Sequence, residues 1–211
     1  MEDLIKHPAY SKNAIEFVAV ATECASFFEN SNSFEKKEFL ERTAKLLAII
    51  YLKASMLTDV EPVLDETPET FVTENDYEYV RQNISTLLGD SDAYLDVFHP
   101  DIQLSETPIA ATISENIADI YQDLKDFSMR YQVGNNDVMN DALSYCYSSF
   151  KEYWGQKLVN ALRAVHEALY NKNLSEEDEY MEETGTKLTK DSFFNNMKDD
   201  DLGELERFFE K

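Results

Sequence analysis

The chain is 211 residues long and carries 42 Asp+Glu against 19 Lys+Arg, a formal charge of −23. A field of that sign repels phosphate backbones and anionic membrane surfaces, which argues against nucleic acid and membrane as partners. Hydrophobic residues make up 43% of the chain, enough for a core, while 5 Gly and 5 Pro are too few for the turns of a sandwich or barrel; the expected fold is an all-α, single-domain helical bundle with an appendage.

Apolar residues from Phe17 through Val20, Ala21, Cys24, Phe27 and Phe28 recur at helical spacing, and Pro8 suits the first turn, so the first helix is expected to start there. After Asn30-Ser31-Asn32, Ser33 is the expected cap of a second helix, with Phe39, Leu40, Leu47, Ile50 and Ala54 on its apolar face. Residues 59–72 contain Pro62 and Pro68 without sustained periodicity and read as an ordered or semi-ordered loop. Thr73-Glu74-Asn75-Asp76 resembles a capping box and opens a third helix, which Gly89 closes. Asp90-Ser91-Asp92 then suggests a short helical turn carrying Tyr94, Leu95 and Phe98, stopped by His99-Pro100.

A fourth helix is expected from Thr107-Pro108, or after a break from Thr112, to about Tyr131, with Ile113, Ile117, Ile120, Leu124 and Phe127 along one side. Gly134-Asn135-Asn136 separates it from a pattern that persists from Val138 to Tyr170. As one straight helix this last element would reach roughly 50 Å, too long for a domain of this size, so a kink near Gly155 or a projecting end is expected. Five main helices result, the fifth long, in a bundle domain over 8–170.

Residues 171–211 hold 13 acids and 6 Lys+Arg and form an expected acidic appendage, partly ordered. Within it Leu202, Leu205, Phe208 and Phe209 share one face of a short amphipathic helix that cannot persist alone in water and needs a surface to dock on. No secretory h-region opens the chain, and the most apolar stretch, 46–57, falls short of the roughly 20 residues a bilayer span needs. Cys24 and Cys146 are far apart at apolar helical positions and read as buried free thiols, which fits a cytoplasmic location.

Three strings resemble a bacterial family of helical proteins catalogued as domain of unknown function 5063: Ala14 to Val18, Ile113 to Leu124, and Trp154-Gly155 followed by Ala161 to His166. The resemblance covers about residues 8–170. It implies an all-α, cytoplasmic, bacterial protein and brings no catalytic residue with it. Where members of that family carry additional histidines around the Trp-Gly step, this chain has Tyr153 and Lys157, which disfavours a histidine-based metal site there.

Glu115, Asp119 and Asp123 recur at i, i+4 and i+8, one side of one helix, a spacing that suits Mg²⁺ or Mn²⁺ if a second helix adds oxygens. A metal-dependent hydrolase of the nucleotide pyrophosphohydrolase kind is therefore the alternative reading. Counting 100° per residue places these acids, with Gln122 and Asp126, opposite the apolar face, where solvent is expected, and the favoured expectation needs no cofactor. No P-loop, GxGxxG, HExxH or nucleophile elbow occurs, and no catalytic residue is assigned. The favoured reading is a protein-binding or scaffold module with an acidic surface and an aromatic groove suited to a basic protein partner, and compatible with a homodimer. The residues assigned to binding are Tyr121, Trp154 and His166 of the bundle and Leu205, Phe208 and Phe209 of the tail.

Overall fold

The structure is a computed structural model that describes residues 7–64, 68–96 and 109–170. A single 3-10 turn, Pro8–Tyr10, precedes helix α1, Lys12–Glu29. The α-helix starts later than Pro8 because Ser11 is its cap: its backbone is extended and its side-chain oxygen receives the Ala14 amide. Helix α2, Lys36–Ser55, is likewise displaced from the expected start, since Ser33 closes a 3-10 turn and Glu35 takes the N-cap position. Helix α3, Glu74–Leu88, has the expected reciprocal box between Thr73 and Asp76. It ends at Gly89, whose φ of 56° is a conformation that a side chain disfavours.

After α3 the expected helical turn carrying Tyr94 and Leu95 does not form. A 3-10 turn, Gly89–Ser91, leads instead into strand β1, Ala93–Asp96, which pairs antiparallel with β2, Ile109–Thr112; Ala93 lies opposite Thr112 and Asp96 opposite Ile109. Phe98, His99 and Pro100 lie outside the described residues. Asp92 fixes the base of the hairpin, its carboxylate receiving the Ser114 amide at 2.8 Å and the Ser114 hydroxyl at 2.7 Å. Thr112 ends β2 and caps helix α4, Ile113–Gln132, through the Glu115 amide, the later of the two expected starts.

Helix α5, Asn136–Ser149, is capped by Asn135 and runs through a π-helical turn, Phe150–Trp154, into α6, Gly155–Tyr170. The irregularity expected near Gly155 is this turn. The Gly155 amide reaches the Phe150 carbonyl five residues back, so one residue is accommodated in excess of the α-helical repeat. Trp154 is turned fully into the core, where its indole N–H donates to the Cys146 carbonyl at 3.1 Å.

Helix α4 lies in the middle, packed against α1, α3, α5 and α6, while α2 closes the bundle across α1 and α6. Phe17, Phe28, Phe39, Leu47, Ile84, Ile117, Ile120, Phe127 and Trp154 fill the core. Cys24 and Cys146 are buried free thiols, as expected; burial pushes Cys24 up to about 12 and Cys146 well above the usual thiol range, so neither is a nucleophile at neutral pH. Among the described residues no helix is long and apolar enough to cross a membrane. Residues 171–211, and with them Leu202, Leu205, Phe208 and Phe209, lie outside the described residues.

Gly155 is required by close approach: a Cβ there would sit 2.3 Å from the Phe150 carbonyl oxygen and 2.9 Å from the Phe150 ring. Gly155→Ala is expected to lower stability by about 1–3 kcal/mol in chemical denaturation, the range for overpacking a rigid site. An alanine variant as stable as the parent would mean that the π turn does not need the glycine.

Candidate functional site

The acidic row of α4 does not face solvent as its helical wheel suggests. Solvent exposure holds for Glu115; Asp119 is buried, 9% exposed, Asp123 is half-buried and Asp126 is buried. The physical reason is that α4 is wrapped on its polar side as well as its apolar side, so each acid must meet a donor supplied by a neighbouring element.

Asp119 is the best furnished. Tyr77 of α3 donates its phenol to Asp119 Oδ1 at 2.9 Å, and the Lys157 ammonium of α6 lies 3.1 Å from Oδ2. Tyr153, in the π turn one helical turn before Lys157, stands close enough to the same carboxylate for its phenol to feel the Asp119 charge. Lys157 Nζ also lies 5.6 Å from the centre of the Tyr153 ring, within cation–π range. The result is a pit with a carboxylate floor, two tyrosine walls and an ammonium in it. Burial, and then the negative charge of Asp119, drive the phenols of Tyr77 and Tyr153 above the usual tyrosine range. At neutral pH both are therefore donors and not bases.

Further along the row, Asp123 has its carboxyl pushed up to about 6, chiefly by burial and next by the charges of Asp126 and Asp119, against a hydrogen bond from Ser149. Asp126 turns the other way and receives the Phe71 and Val72 amides at 2.7 and 2.9 Å. Arg130 backs it at 3.6 Å and donates to the Glu69 carbonyl. Asp126 thus holds the end of the loop that precedes α3.

The residues assigned to binding from the sequence separate. Tyr121 is 3% exposed and donates to Glu29 of α1 at 2.9 Å, where Lys125 also pairs; Trp154 is fully buried. Neither can line a surface groove, because both rings are used between helices. His166 is exposed beside Tyr170, their rings 4.7 Å apart. Leu205, Phe208 and Phe209 are outside the described residues. Glu115, Asp119 and Asp123 remain along one helix but are not joined by acids from a second one: among the described residues no group of three or more His, Cys, Asp or Glu is placed to hold a metal ion. The residues that sequence reasoning left in the background are Tyr77, Tyr153 and Lys157. The available signal was the matching stride of two i, i+4 pairs, Asp119/Asp123 and Tyr153/Lys157.

The family model described as domain of unknown function, DUF5063, matches residues 8–171. The chain belongs to this family. A solved relative, the crystal structure of protein BF1032 from Bacteroides fragilis, a structural-genomics target, is 44% identical, with a TM-score of 0.69 over 77% of this chain and 96% of that one. No curated protein matches.

The Asp123 carboxyl supplies a pH test. A carboxyl raised in the folded state above its unfolded value favours folding when protonated, so its contribution is present below about pH 4 and is lost as pH rises through about 6. Discounted for partial exposure, the change amounts to about 1–2 kcal/mol. Asp123→Asn is expected to remove that decline, so that the variant gains on the parent between pH 4 and pH 7 in denaturant titrations. Parallel stability curves for the two proteins would contradict the assignment.

Proposed function

We propose that the bundle is a binding module for a basic protein segment. The observation that carries this reading is the disposition of charge. Of the bundle's cations, Lys12 and Lys53 pair with Glu16, Arg42 with Glu38, Arg81 with Glu78, Lys125 with Glu29, Arg130 with Asp126, Lys151 with Asp59 and Lys157 with Asp119. Residues 1–170 contain 29 acids against 13 Lys+Arg, so neutralisation inside the bundle leaves a surplus of carboxylates such as Glu35, Glu41, Glu61, Glu74 and Glu115 at the surface. A negative surface of this kind steers positively charged partners and repels phosphate-bearing ones.

The full-length protein is expected to bind a lysine-rich peptide in calorimetry at low salt, with affinity falling as ionic strength rises, and to ignore a glutamine-rich peptide of equal length. Binding that does not respond to salt, or none at 50 mM salt or so, well below the screening of physiological buffer, would remove the electrostatic basis of the reading.

The metal-dependent hydrolase reading has less support, since Lys157 already occupies one edge of the Asp119 carboxylate and loop amides occupy Asp126. A bound metal would raise the thermal midpoint through Asp119, because a ligand of the folded state alone must stabilise it. The binding-module reading expects instead that millimolar Mg²⁺ or Mn²⁺ shifts the parent and Asp119→Asn equally in a thermal-shift assay. A metal-induced rise confined to the parent would favour the hydrolase.

A further inference from the structure

The Asp119 pit carries a more specific statement about what the module reads, and it rests on the reading just given. Its present occupant is a primary ammonium. Lys157 Nζ meets the two features that together recognise such a group, a carboxylate oxygen at 3.1 Å and a tyrosine face with its centre at 5.6 Å. Tyr77 donates to Oδ1 and holds the carboxylate in place, which leaves the Oδ2 edge to the cation. The pit is therefore preorganised for an ammonium whatever molecule supplies it.

The occupant is also reachable. The Lys157 side chain is 32% exposed and Tyr153 is 46% exposed, so the ammonium and one wall of the pit border solvent. Lys157 reaches Asp119 on a flexible four-carbon stem with a strongly hydrated head, and can leave by rotation of that stem without moving α6. Exposed Glu115 lies one turn before Asp119 and close enough to act on both phenols electrostatically, a local acid for the displaced lysine. Exchange of one ammonium for another keeps the buried carboxylate compensated, so it avoids the cost of leaving a buried charge alone.

We propose that this pit is a lysine-reading site in which the side-chain ammonium of a basic partner displaces Lys157 from Asp119 and packs against Tyr153, Lys157 acting as a built-in competitor. The competitor lowers the apparent affinity by the fraction of time it occupies the pit, so removing it strengthens binding. Lys157→Met retains the length of the stem and deletes the ammonium.

The test uses the full-length protein, a short lysine-containing peptide and the same peptide with its lysines acetylated. In calorimetry Lys157→Met is expected to bind the unmodified peptide about tenfold tighter than the parent, and Asp119→Asn at least tenfold weaker, while the acetylated peptide binds none of them. Should Lys157→Met fold poorly, the parent decides the matter: the ¹³C ε-methylene resonance of Lys157 is expected to move when the unmodified peptide is added and to stay fixed with the acetylated one. Equal affinity of parent, Lys157→Met and Asp119→Asn, or a Lys157 resonance that never moves while the peptide binds, overturns the lysine-reading site and leaves the basic-partner reading standing. Absence of any peptide binding overturns both.

Discussion

The bundle depends on burying the polar side of α4. A helix with one apolar stripe ordinarily lies at a surface, with its polar side in water. Here α3, α6 and residues 68–72 cover that side too, and the arrangement is tolerable because the buried acids are met: Asp119 by the Tyr77 phenol and the Lys157 ammonium, Asp126 by two amides. An unmet carboxylate at Asp119 or Asp126 would carry a desolvation cost of several kcal/mol, a large share of a domain's stability. The polar row therefore selects which elements pack on α4, and the apolar face on the other side supplies the burial that makes packing worthwhile.

The same requirement explains the π turn. Were α5 and α6 one regular helix, the residues from Tyr153 onward would be turned by about 100° from the directions they now take, the angular step of one residue. The extra residue brings Tyr153 and Lys157 onto the side that meets Asp119 while Trp154 still points into the core. Gly155 permits the tight passage of the Phe150 carbonyl that this requires. An irregular turn and a polar site thus coincide for a geometric reason, since the turn sets the phase of the side chains that furnish the site.

Much of this was legible in the chain, and the limits were physical. Apolar spacing identifies the helices, and local chemistry identifies ends such as Thr73 with Asp76, Gly89, and Asn135, because a cap is a contact between near neighbours. The β1–β2 pair was not legible: its strands are four residues each, alanine-rich in β2, and paired across a long separation that no local pattern records. A helical wheel places Glu115, Asp119 and Asp123 on one side correctly, yet it cannot show whether another helix covers that side. The pattern offers Trp154 and Tyr121 to a surface groove for the converse reason, since it does not show that an indole or phenol is satisfied internally, here by the Cys146 carbonyl and by Glu29.

The acidity of the chain takes on two meanings once the contacts are known. Some aspartates are internal ties for backbone that has no regular partner. Asp92 receives the Ser114 amide and hydroxyl, Asp126 receives the amides of Phe71 and Val72, and Asp141 receives those of Val63 and Leu64 at 2.6 and 2.8 Å. A loop with free amides laid over a bundle needs acceptors, and a carboxylate on a helix offers two oxygens to consecutive N–H groups. Those acids are neutral to the question of partners, because they are turned inward. The glutamates differ: Glu35, Glu41, Glu61, Glu74 and Glu115 stand outside, and their longer stems keep the charge in water. The inward aspartates shape the fold and the outward glutamates contribute to the field around it, and at Asp119, where an inward aspartate meets a half-exposed lysine beneath Glu115, the two roles adjoin.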